Sequence, residues 1–394
     1  MSIAEGFGGS SSPEALALGD VLTFFGAVSD YAAGAPPEHG RHVASLAVAL
    51  GIQSGLQQAD LGALYFAALL RNAGALGNPG FAKGEQLPER AQAMQRWDIP
   101  AHGARICERI ASLPPATADI VRWQAECWDG TGYPDQLRWS GIPRAAQLLH
   151  IAQRFVETPE PEDALASVSR ETGRTFSPDE SRTFVMWFHT GGGEVTPVDP
   201  PFDALDAART APMLVIDMLS ERIDAHNGTP LRAQRIARRA ADIGKELGLD
   251  EEDLRRIHLA ALLFGIGEIR APALESAQFD PLARLGIETR ASHALAAANL
   301  AQTCGFAASA APALRGRGEW YDGTGAPDRL RHEAIPRAGH VLALAIAFDA
   351  LEETYRSRIT EERTMPVSRL ETVSGTQFDP AAVRALAQVV KARA

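Results

Sequence analysis

The sequence has few of the residues that mark disulfide, zinc-thiolate or nucleic-acid-binding proteins. Its 394 residues include three cysteines, Cys107, Cys127 and Cys304, and their spacing matches no metal or disulfide framework. Only three of the 38 basic residues are lysines, and the formal net charge is −11. A broad nucleic-acid surface would need a basic balance. We therefore expect a reducing compartment and no nucleic-acid partner.

Long apolar runs are also lacking. No stretch approaches the roughly 18 apolar residues of a membrane-spanning helix, and residues 1–13 are rich in glycine and serine without the basic and apolar regions of a signal peptide. These patterns favour a cytoplasmic protein with no membrane association.

Few segments alternate with the period of two that is typical of β-strands. Helical periodicity is common instead: Val43, Leu46, Ala47 and Leu50 follow the i, i+3, i+4, i+7 pattern of an amphipathic helix. Residues 63–70 are apolar nearly all round, which predicts a central, buried helix. We therefore predict an all-α fold.

A glycine-rich block occurs twice. Trp128-Asp129-Gly130-Thr131-Gly132-Tyr133-Pro134 returns at residues 321–327 as Tyr-Asp-Gly-Thr-Gly-Ala-Pro, 193 residues later (322 minus 129). Residues 120–156 and 313–349 share 17 identities over 37 positions. Chance would give about two or three, so the match indicates an internal duplication.

The duplication predicts four segments along the chain. We expect a disordered tail at 1–13, a first helical domain at 14–190, a linker at 191–203 and a second helical domain at 204–394. The linker assignment depends on three consecutive glycines from Gly191 and on Pro197, Pro200 and Pro201. Duplicated units commonly pack together, so we expect the repeats to form a pseudo-dimer or to associate between chains.

These motifs resemble a known family. An amphipathic helix, an "AALL" helix followed by glycine, the Trp-Asp-Gly-Thr-Gly-Tyr-Pro block with its downstream Ile142-Pro143, and a late Gly-x-x-Phe-x-Pro segment are similar to the HD-GYP subgroup of the HD phosphohydrolase superfamily. The resemblance covers nearly the whole chain, once per repeat. It implies two tandem helical bundles. It also implies phosphodiesterase activity on cyclic di-GMP or related cyclic dinucleotides, with two or three divalent cations that generate hydroxide near neutral pH.

The resemblance implies seven metal-ligand positions per domain, occupied by histidine and aspartate. In the first repeat His39 keeps the first position. The His-Asp pair has become Arg71-Asn72, and the lysine that usually follows is Ala75. The other positions carry Pro100 or Ile99, Gln124, Ala125 and Gln153, so one ligand of seven remains.

The second repeat keeps a different ligand, His293. The first position is Arg232, the His-Asp pair is Phe264-Gly265 and the lysine is Glu268. The remaining positions are Arg317, Gly318 and Ile346, and again one of seven remains. These departures from the family pattern therefore predict no catalytic residues, no metal and no cofactor.

The remaining histidines have a plainer interpretation. His39 and His42 lie three residues apart on one predicted helix, but a histidine pair without a carboxylate is a weak metal signal. A partly buried residue on the wall of a vacated pocket explains His39 better. His150 and His340 are expected to be hydrogen-bonded core or interface histidines, and the partners of His293 cannot coordinate a metal.

Arg71, Arg232 and Arg317 are candidate anion-binding residues. A guanidinium where a metal once lay can bind phosphate oxygens directly. The alternative is that each arginine fills space and satisfies neighbouring carbonyls and carboxylates such as Glu126 and Glu319. A positive charge alone activates no water, so anion binding would not imply hydrolysis.

The scaffold part of the signature persists in Asp129, Gly130, Gly132, Tyr133 and Pro134. Asp129 can accept N–H bonds across its own loop. In the family this loop is a candidate surface for partner proteins, including cyclic di-GMP synthases. The first repeat keeps the tyrosine and is the better candidate, because Ala326 replaces it in the second.

Two functions therefore compete. The favoured hypothesis is a catalytically inactive tandem protein that acts as a signalling scaffold, regulator or ligand-sensing module, with a protein partner or self-association and a cyclic dinucleotide as a candidate ligand. The alternative is a metal-dependent cyclic di-GMP phosphodiesterase that uses iron, manganese or another divalent metal in a rearranged site. Asp119, Glu126 and His102 are candidates for such a site.

Overall fold

A computed structural model describes residues 17–77, 89–191, 195, 198, 201–206, 208–270, 287–356 and 365–393. The predicted tail, 1–13, and part of the predicted linker, 191–203, lie outside these ranges. Every regular element in the described ranges is an α-helix or a short 3-10 helix, apart from two isolated β-bridges at Thr172–Phe176 and Ser374–Phe378. The prediction of an all-α fold is confirmed.

The described part of the first repeat has eight α-helices. They are α1 (Leu18–Ala33), α2 (His39–Gln53), α3 (Gln58–Leu70), α4 (Glu89–Glu108), α5 (Thr117–Trp123), α6 (Arg144–Glu157), α7 (Pro161–Glu171) and α8 (Pro178–His189). Helix α3 is the central one, since every residue from Leu61 to Leu70 is buried. It packs against α1, α2, α5 and α6. The amphipathic face predicted for α2 is buried as expected.

The second repeat follows the same order. Its helices are α9 (Pro212–His226), α10 (Arg232–Glu246), α11 (Glu251–Leu263), α12 (Ile287–Gln302), α13 (Gly305–Ala308), α14 (Ala311–Gly316), α15 (Arg337–Arg356), α16 (Met365–Glu371) and α17 (Pro380–Arg393). Helix α10 packs against α11, α15 and α17, as α2 packs against α3, α6 and α8. The 3-10 segments Ala73–Ala75 and Phe264–Glu268 follow α3 and α11 at matching places.

The two repeats pack against each other within the chain. The lead helices α1 and α9 are in contact, and Phe24 meets Phe306 edge-to-face with ring centroids 5.5 Å apart. The contacts are reciprocal. His226 Nδ1, on α9, lies 3.2 Å from the Ala75 carbonyl oxygen of the first repeat, and Arg270 of the second repeat lies over the Tyr31 ring of α1. The expected packing of the repeats against each other is therefore found within the chain.

No helix in the described ranges combines the length and the apolar character needed to cross a lipid bilayer.

Candidate functional site

The repeated loop is held in the same way in both repeats by a buried glutamate. Glu126 accepts hydrogen bonds from the backbone N–H groups of Asp135 (2.7 Å) and Leu137 (3.0 Å). Glu319 repeats this with Asp328 (2.6 Å) and Leu330 (3.0 Å). Burial raises the pKa of Glu126, and these hydrogen bonds act against the rise. The alternative in which the arginines satisfy Glu126 and Glu319 is wrong for these two carboxylates, because backbone N–H groups occupy both. Arg71 and Arg232 pair with other carboxylates, those of Asp30 and Glu268.

Loop geometry explains the persistence of its glycines and aspartate. A Cβ atom on Gly132 would overlap the backbone nitrogen of Cys127. Asp129 Oδ1 accepts bonds from the N–H (2.9 Å) and hydroxyl (2.6 Å) of Thr131, as predicted from its sequence position. The backbone N–H of Asp129 donates to the Arg174 carbonyl, so the loop is fastened to the segment between α7 and α8.

At the position where the resemblance implies the His-Asp pair, the first repeat contains a buried ion pair. Arg71 Nη1 lies 3.0 Å from Asp30 Oδ1, and the two side chains are 1% and 0% exposed. Asn72 Nδ2 donates to the same oxygen at 2.9 Å, and the Gly40 N–H donates to Asp30 Oδ2 at 2.7 Å. Burial raises the pKa of Asp30, and the Arg71 charge acts against this rise. The guanidinium thus turns toward α1 and is bound internally.

Two glutamines continue this network at further predicted ligand positions. Gln124 Nε2 donates to the Arg71 carbonyl at 3.0 Å, and Gln153 Nε2 donates to Gln124 Oε1 at 2.8 Å. Side chains from α1, from the end of α3, from the residue after α5 and from α6 are thereby linked. At these two predicted ligand positions, the side-chain amides hydrogen-bond to each other.

His39 and His42 do not act together. His39 is partly buried and its Nε2 lies 3.9 Å from Glu157 Oε1, whereas His42 is exposed. The expectation that no carboxylate lies near the histidine pair is wrong, because the packing of α6 against α2 places Glu157 beside His39. One histidine and one half-exposed carboxylate still form a smaller donor set than a metal site needs.

In the second repeat, an aromatic ring lies between two arginines at the position of the predicted His-Asp pair. Phe264 is completely buried, and the guanidinium carbons of Arg232 and Arg317 lie 5.1 Å and 5.4 Å from its centroid. Arg232 Nη1 pairs with Glu268 Oε2 at 3.0 Å. Burial, with the neighbouring charge of Arg232, lowers the pKa of Arg317 to about 10. Nε and Nη2 of Arg317 are buried and have no hydrogen-bond partner within the described part of the chain.

His293 lies beside this cluster. Its Nε2 atom is buried and has no hydrogen-bond partner among the described residues, and burial and the Arg317 charge lower its pKa. A Cβ atom on Gly267 would collide with the His293 carbonyl, and one on Gly74 would collide with that of Ile99. Ile99, rather than Pro100, therefore stands at the position that corresponds to His293.

The other predicted ligand positions of the second repeat contribute no donor side chain. Gly265 has none; its carbonyl accepts a hydrogen bond from Asn227 Nδ2 at 2.9 Å. Ile346 is a partly buried side chain that packs on the hydrophobic core.

Asp30 and Asp224 were not singled out from the sequence. Each lies near the end of a lead helix, and each accepts the N–H of the second residue of the following helix, Gly40 (2.7 Å) or Ala233 (2.8 Å). Burial raises the pKa of Asp224 to about 6. The sequence signal was an aspartate eight or nine residues before each amphipathic helix. A single aspartate outside any charged motif is a weak signal.

The donors at the predicted ligand positions do not fit divalent cations. A guanidinium has no acceptor lone pair and stays protonated, and Phe264, Gly265 and Ile346 offer no ligand atom. No group of three or more histidine, cysteine, aspartate or glutamate side chains that could hold a metal occurs among the described residues. His102 and Asp119 are exposed while Glu126 is buried under its loop, so the three do not converge.

The core histidines behave as expected from their positions. His150 Nδ1 lies 3.2 Å from the Glu126 carbonyl oxygen, and burial lowers its pKa to about 4. His340 Nε2 lies 3.0 Å from the carbonyl oxygen of His332. Both therefore help to hold the repeated loop against the following helix.

The chain is similar to several known proteins. A family described as HD domain matches residues 28–178 and 214–382. The chain is 32% identical over 164 residues to the cyclic di-GMP phosphodiesterase response regulator RpfG of Xanthomonas campestris pv. campestris (strain 8004), which is 40% of this chain and 43% of that protein. It is 26% identical over 181 residues to a cyclic di-GMP phosphodiesterase of Thermotoga maritima, covering 43% and 49%.

The chain thus spans less than half the length of these relatives. A solved structure of a cyclic GMP-AMP specific phosphodiesterase of V. cholerae, V-cGAP3, aligns over 95% of this chain and 97% of its own. The TM-score is 0.68 at 20% sequence identity. This likeness is one of fold, and it extends over both repeats.

Proposed function

Because the chain belongs to the HD-domain family and carries two tandem copies of the domain, we propose that it is a non-hydrolytic member that acts as a signalling scaffold, regulator or ligand-sensing module. The observation that supports this function is the buried ion pair of Arg71 with Asp30. It stands where the family chemistry calls for a metal-binding histidine.

The physical argument concerns charge. Hydrolysis of a phosphodiester by this chemistry needs cations that polarise the ester and produce hydroxide. Arg71 in the first repeat, and Arg232 and Arg317 in the second, are protonated guanidinium groups at predicted ligand positions. These groups repel a divalent cation and cannot bind it. Neither repeat offers a replacement set of donors within the described residues.

The loop of the first repeat supports binding of a protein partner. Tyr133 stacks on Trp97 of α4 with centroids 5.6 Å apart and planes 18° apart, and Trp97 is 55% exposed. Tyrosine and tryptophan are enriched at protein interfaces.

Affinity for a cyclic di-GMP synthase, measured by biolayer interferometry, should fall in Tyr133→Ala. The affinity should be unchanged in Trp139→Ala, which removes an exposed ring outside the Tyr133–Trp97 stack. An equal loss of affinity in both variants would count against the stack as the partner-binding surface.

A second candidate function is metal-dependent hydrolysis of cyclic di-GMP, and the comparisons taken alone favour it. The relatives are named as cyclic di-GMP phosphodiesterases and the similar structure as a cyclic GMP-AMP specific phosphodiesterase. Iron, manganese or another divalent metal would then be required. The donor chemistry of both repeats supports the non-hydrolytic proposal instead.

Metal content separates the two functions. The full chain should be purified without chelator, and iron, manganese and zinc should be measured per chain. The proposal expects a content far below stoichiometric. A ratio of about one or two metals in either repeat would support the phosphodiesterase.

Catalytic activity also distinguishes the non-hydrolytic function from the phosphodiesterase function. With Mn²⁺ or Fe²⁺ added, we expect no hydrolysis of cyclic di-GMP or cyclic GMP-AMP above the rate in buffer. Turnover that is lost in His39→Ala and kept in the matched His42→Ala would overturn the proposal, because His42 is exposed and lies three residues away on the same helix.

Calorimetry with the same cyclic dinucleotides tests the ligand-sensing form of the proposal. Binding that is lost in Arg317→Ala, in a variant with unchanged circular dichroism, would identify the second repeat as a sensor. Absence of binding would leave the scaffold and regulator forms.

A further inference from the structure

A cavity lies in the second repeat beside the predicted ligand positions, since its lining residue Asp349 also lies 3.7 Å from Arg232 Nε. It has a volume of about 240 Å³ and opens between α10, α15 and the end of α17. Four arginines and two carboxylates line it together with one aromatic ring and an alanine: Arg235, Arg238, Arg239, Arg393, Asp349, Glu352, Phe348 and Ala345. In a chain with a net charge of −11, this is a local concentration of positive charge.

The arginines are only partly neutralised. Arg235 holds Asp349 through two hydrogen bonds of 2.8 Å and 3.2 Å. Arg239 reaches Glu352 at a long 3.4 Å, and Arg393 pairs with Asp242, which does not line the cavity. Arg238 is exposed and forms no ion pair with the part of the chain that the structure describes. Donors therefore remain for an anion.

The wall of the cavity also orients its donors. The guanidinium carbon of Arg239 lies 4.5 Å from the centroid of the Phe348 ring. Stacking on an aromatic ring holds the planar guanidinium in one orientation, which lowers the entropy lost when it binds a ligand. Arg235, Arg238 and Arg239 lie at i, i+3 and i+4 on α10, so they project from one side of the helix.

The first repeat lacks these arginines at the same place, and the duplication makes it an internal comparison. Subtracting 193 places His42, Ser45 and Leu46 where α10 has its three arginines. Phe155, the counterpart of Phe348, is covered by rings of α8, with centroids at 5.7 Å (Phe184), 5.6 Å (Trp187) and 6.3 Å (Phe188).

Helix α17 has smaller side chains where α8 carries these rings. Phe176 and Phe378 take equivalent bridge positions, so 202 (378 minus 176) is the offset between the two final helices. It places Leu386, Val389 and Val390 opposite the three aromatic residues. Loss of the rings leaves room beside Phe348, and arginines rather than aromatic side chains line that room.

We propose that this cavity binds a small phosphate monoester, with the phosphate held by Arg238 and Arg239. Guanidinium groups bind phosphate oxygens in bidentate fashion. The volume lies just below the usual range of small-molecule pockets, roughly 300–1,000 Å³. The site therefore suits a ligand of mononucleotide size or smaller, and a cyclic dinucleotide is too large for it.

The test is calorimetry on the full chain at low ionic strength with inorganic phosphate, GMP and AMP as probes. We expect one molecule of GMP or phosphate per chain. Arg238→Gln and Arg239→Gln should each weaken binding by about tenfold or more, as expected for loss of a charge-assisted hydrogen bond. Tighter binding of the nucleotides than of phosphate would show that the site also contacts the nucleoside part of the ligand.

Arg182→Gln provides the matched control, since Arg182 is an exposed arginine on α8 whose ion pair with Asp179 is also exposed. It should leave binding unchanged. Equal weakening by Arg182→Gln, no effect of Arg238→Gln, or no binding of any probe would overturn the proposal. Arg238 is exposed, so its variant decides the matter even if Arg239→Gln folds poorly. Neither arginine is at a predicted ligand position, so this outcome is independent of the metal and hydrolysis measurements.

Discussion

Buried charge at single positions distinguishes this chain at the residue scale. Arg71 and Asp30 are both enclosed in the core of the first repeat, and Nε and Nη2 of Arg71 have no hydrogen-bond partner among the described residues. A buried ion pair gains little over an apolar pair, but removing one partner leaves an uncompensated charge. The stability of the first repeat therefore depends on both partners being present.

Replacing Arg71 with methionine should destabilise the chain by about 3–5 kcal/mol near pH 8, because the Asp30 carboxylate would lose its counter-charge. Burial already raises the pKa of Asp30. Protonation would relieve the cost at lower pH, so the loss should shrink as the pH falls. Urea unfolding at several pH values measures this.

The matched double variant Asp30→Asn with Arg71→Met should recover most of that loss, since no charge remains buried. Arg182→Met breaks an exposed pair and should change the free energy of unfolding by less than about 1 kcal/mol. A loss in Arg71→Met that is independent of pH and not recovered in the double variant would contradict this interpretation.

At the level of single helices and loops, local backbone geometry determines where the helices begin and end. Helix α5 stops at Trp123, because the chain turns there to place Glu126 beneath the loop. Helix α7 begins at Pro161, a position where the missing N–H of proline has no cost.

Gly132→Ala should destabilise the first repeat by about 1–3 kcal/mol or more, because the added methyl group would overlap the backbone of Cys127. Gly141→Ala is the matched control, since nothing lies within 4 Å of a Cβ atom built there. Urea unfolding of both variants makes the comparison. Equal stability of the two would show that the loop relaxes without cost.

Reciprocal packing of the duplicated units is the main feature of the whole molecule. Each lead helix reaches the segment that follows the central helix of the other repeat, through His226 with Ala75 and Tyr31 with Arg270. Ser112 Oγ adds a hydrogen bond of 2.6 Å to the Asp206 carbonyl. Stability of one repeat is thereby coupled to that of the other.

Phe306→Ala should lower the free energy of unfolding by about 1–3 kcal/mol through loss of its contact with Phe24. Thermal unfolding should also become less cooperative between the repeats. A double-mutant cycle with Phe24→Ala should show a loss smaller than the sum of the single losses. Leu214→Ala removes a side chain that is 61% exposed and should have little effect; additive losses at 24 and 306 would contradict the coupling.

The helical class and the duplication could be predicted from the sequence, because periodicity and a repeated motif are properties of nearby residues. The arginine, amide and apolar side chains at the predicted ligand positions were recognised through the family resemblance. The direction of the arginine side chains, and the carboxylates that pair with Arg71 and Arg232, follow from the packing of the helices. Asp30, Glu157 and the cavity beside Phe348 involve residues far apart in the chain, and an interaction between distant residues becomes visible only when the helices are packed.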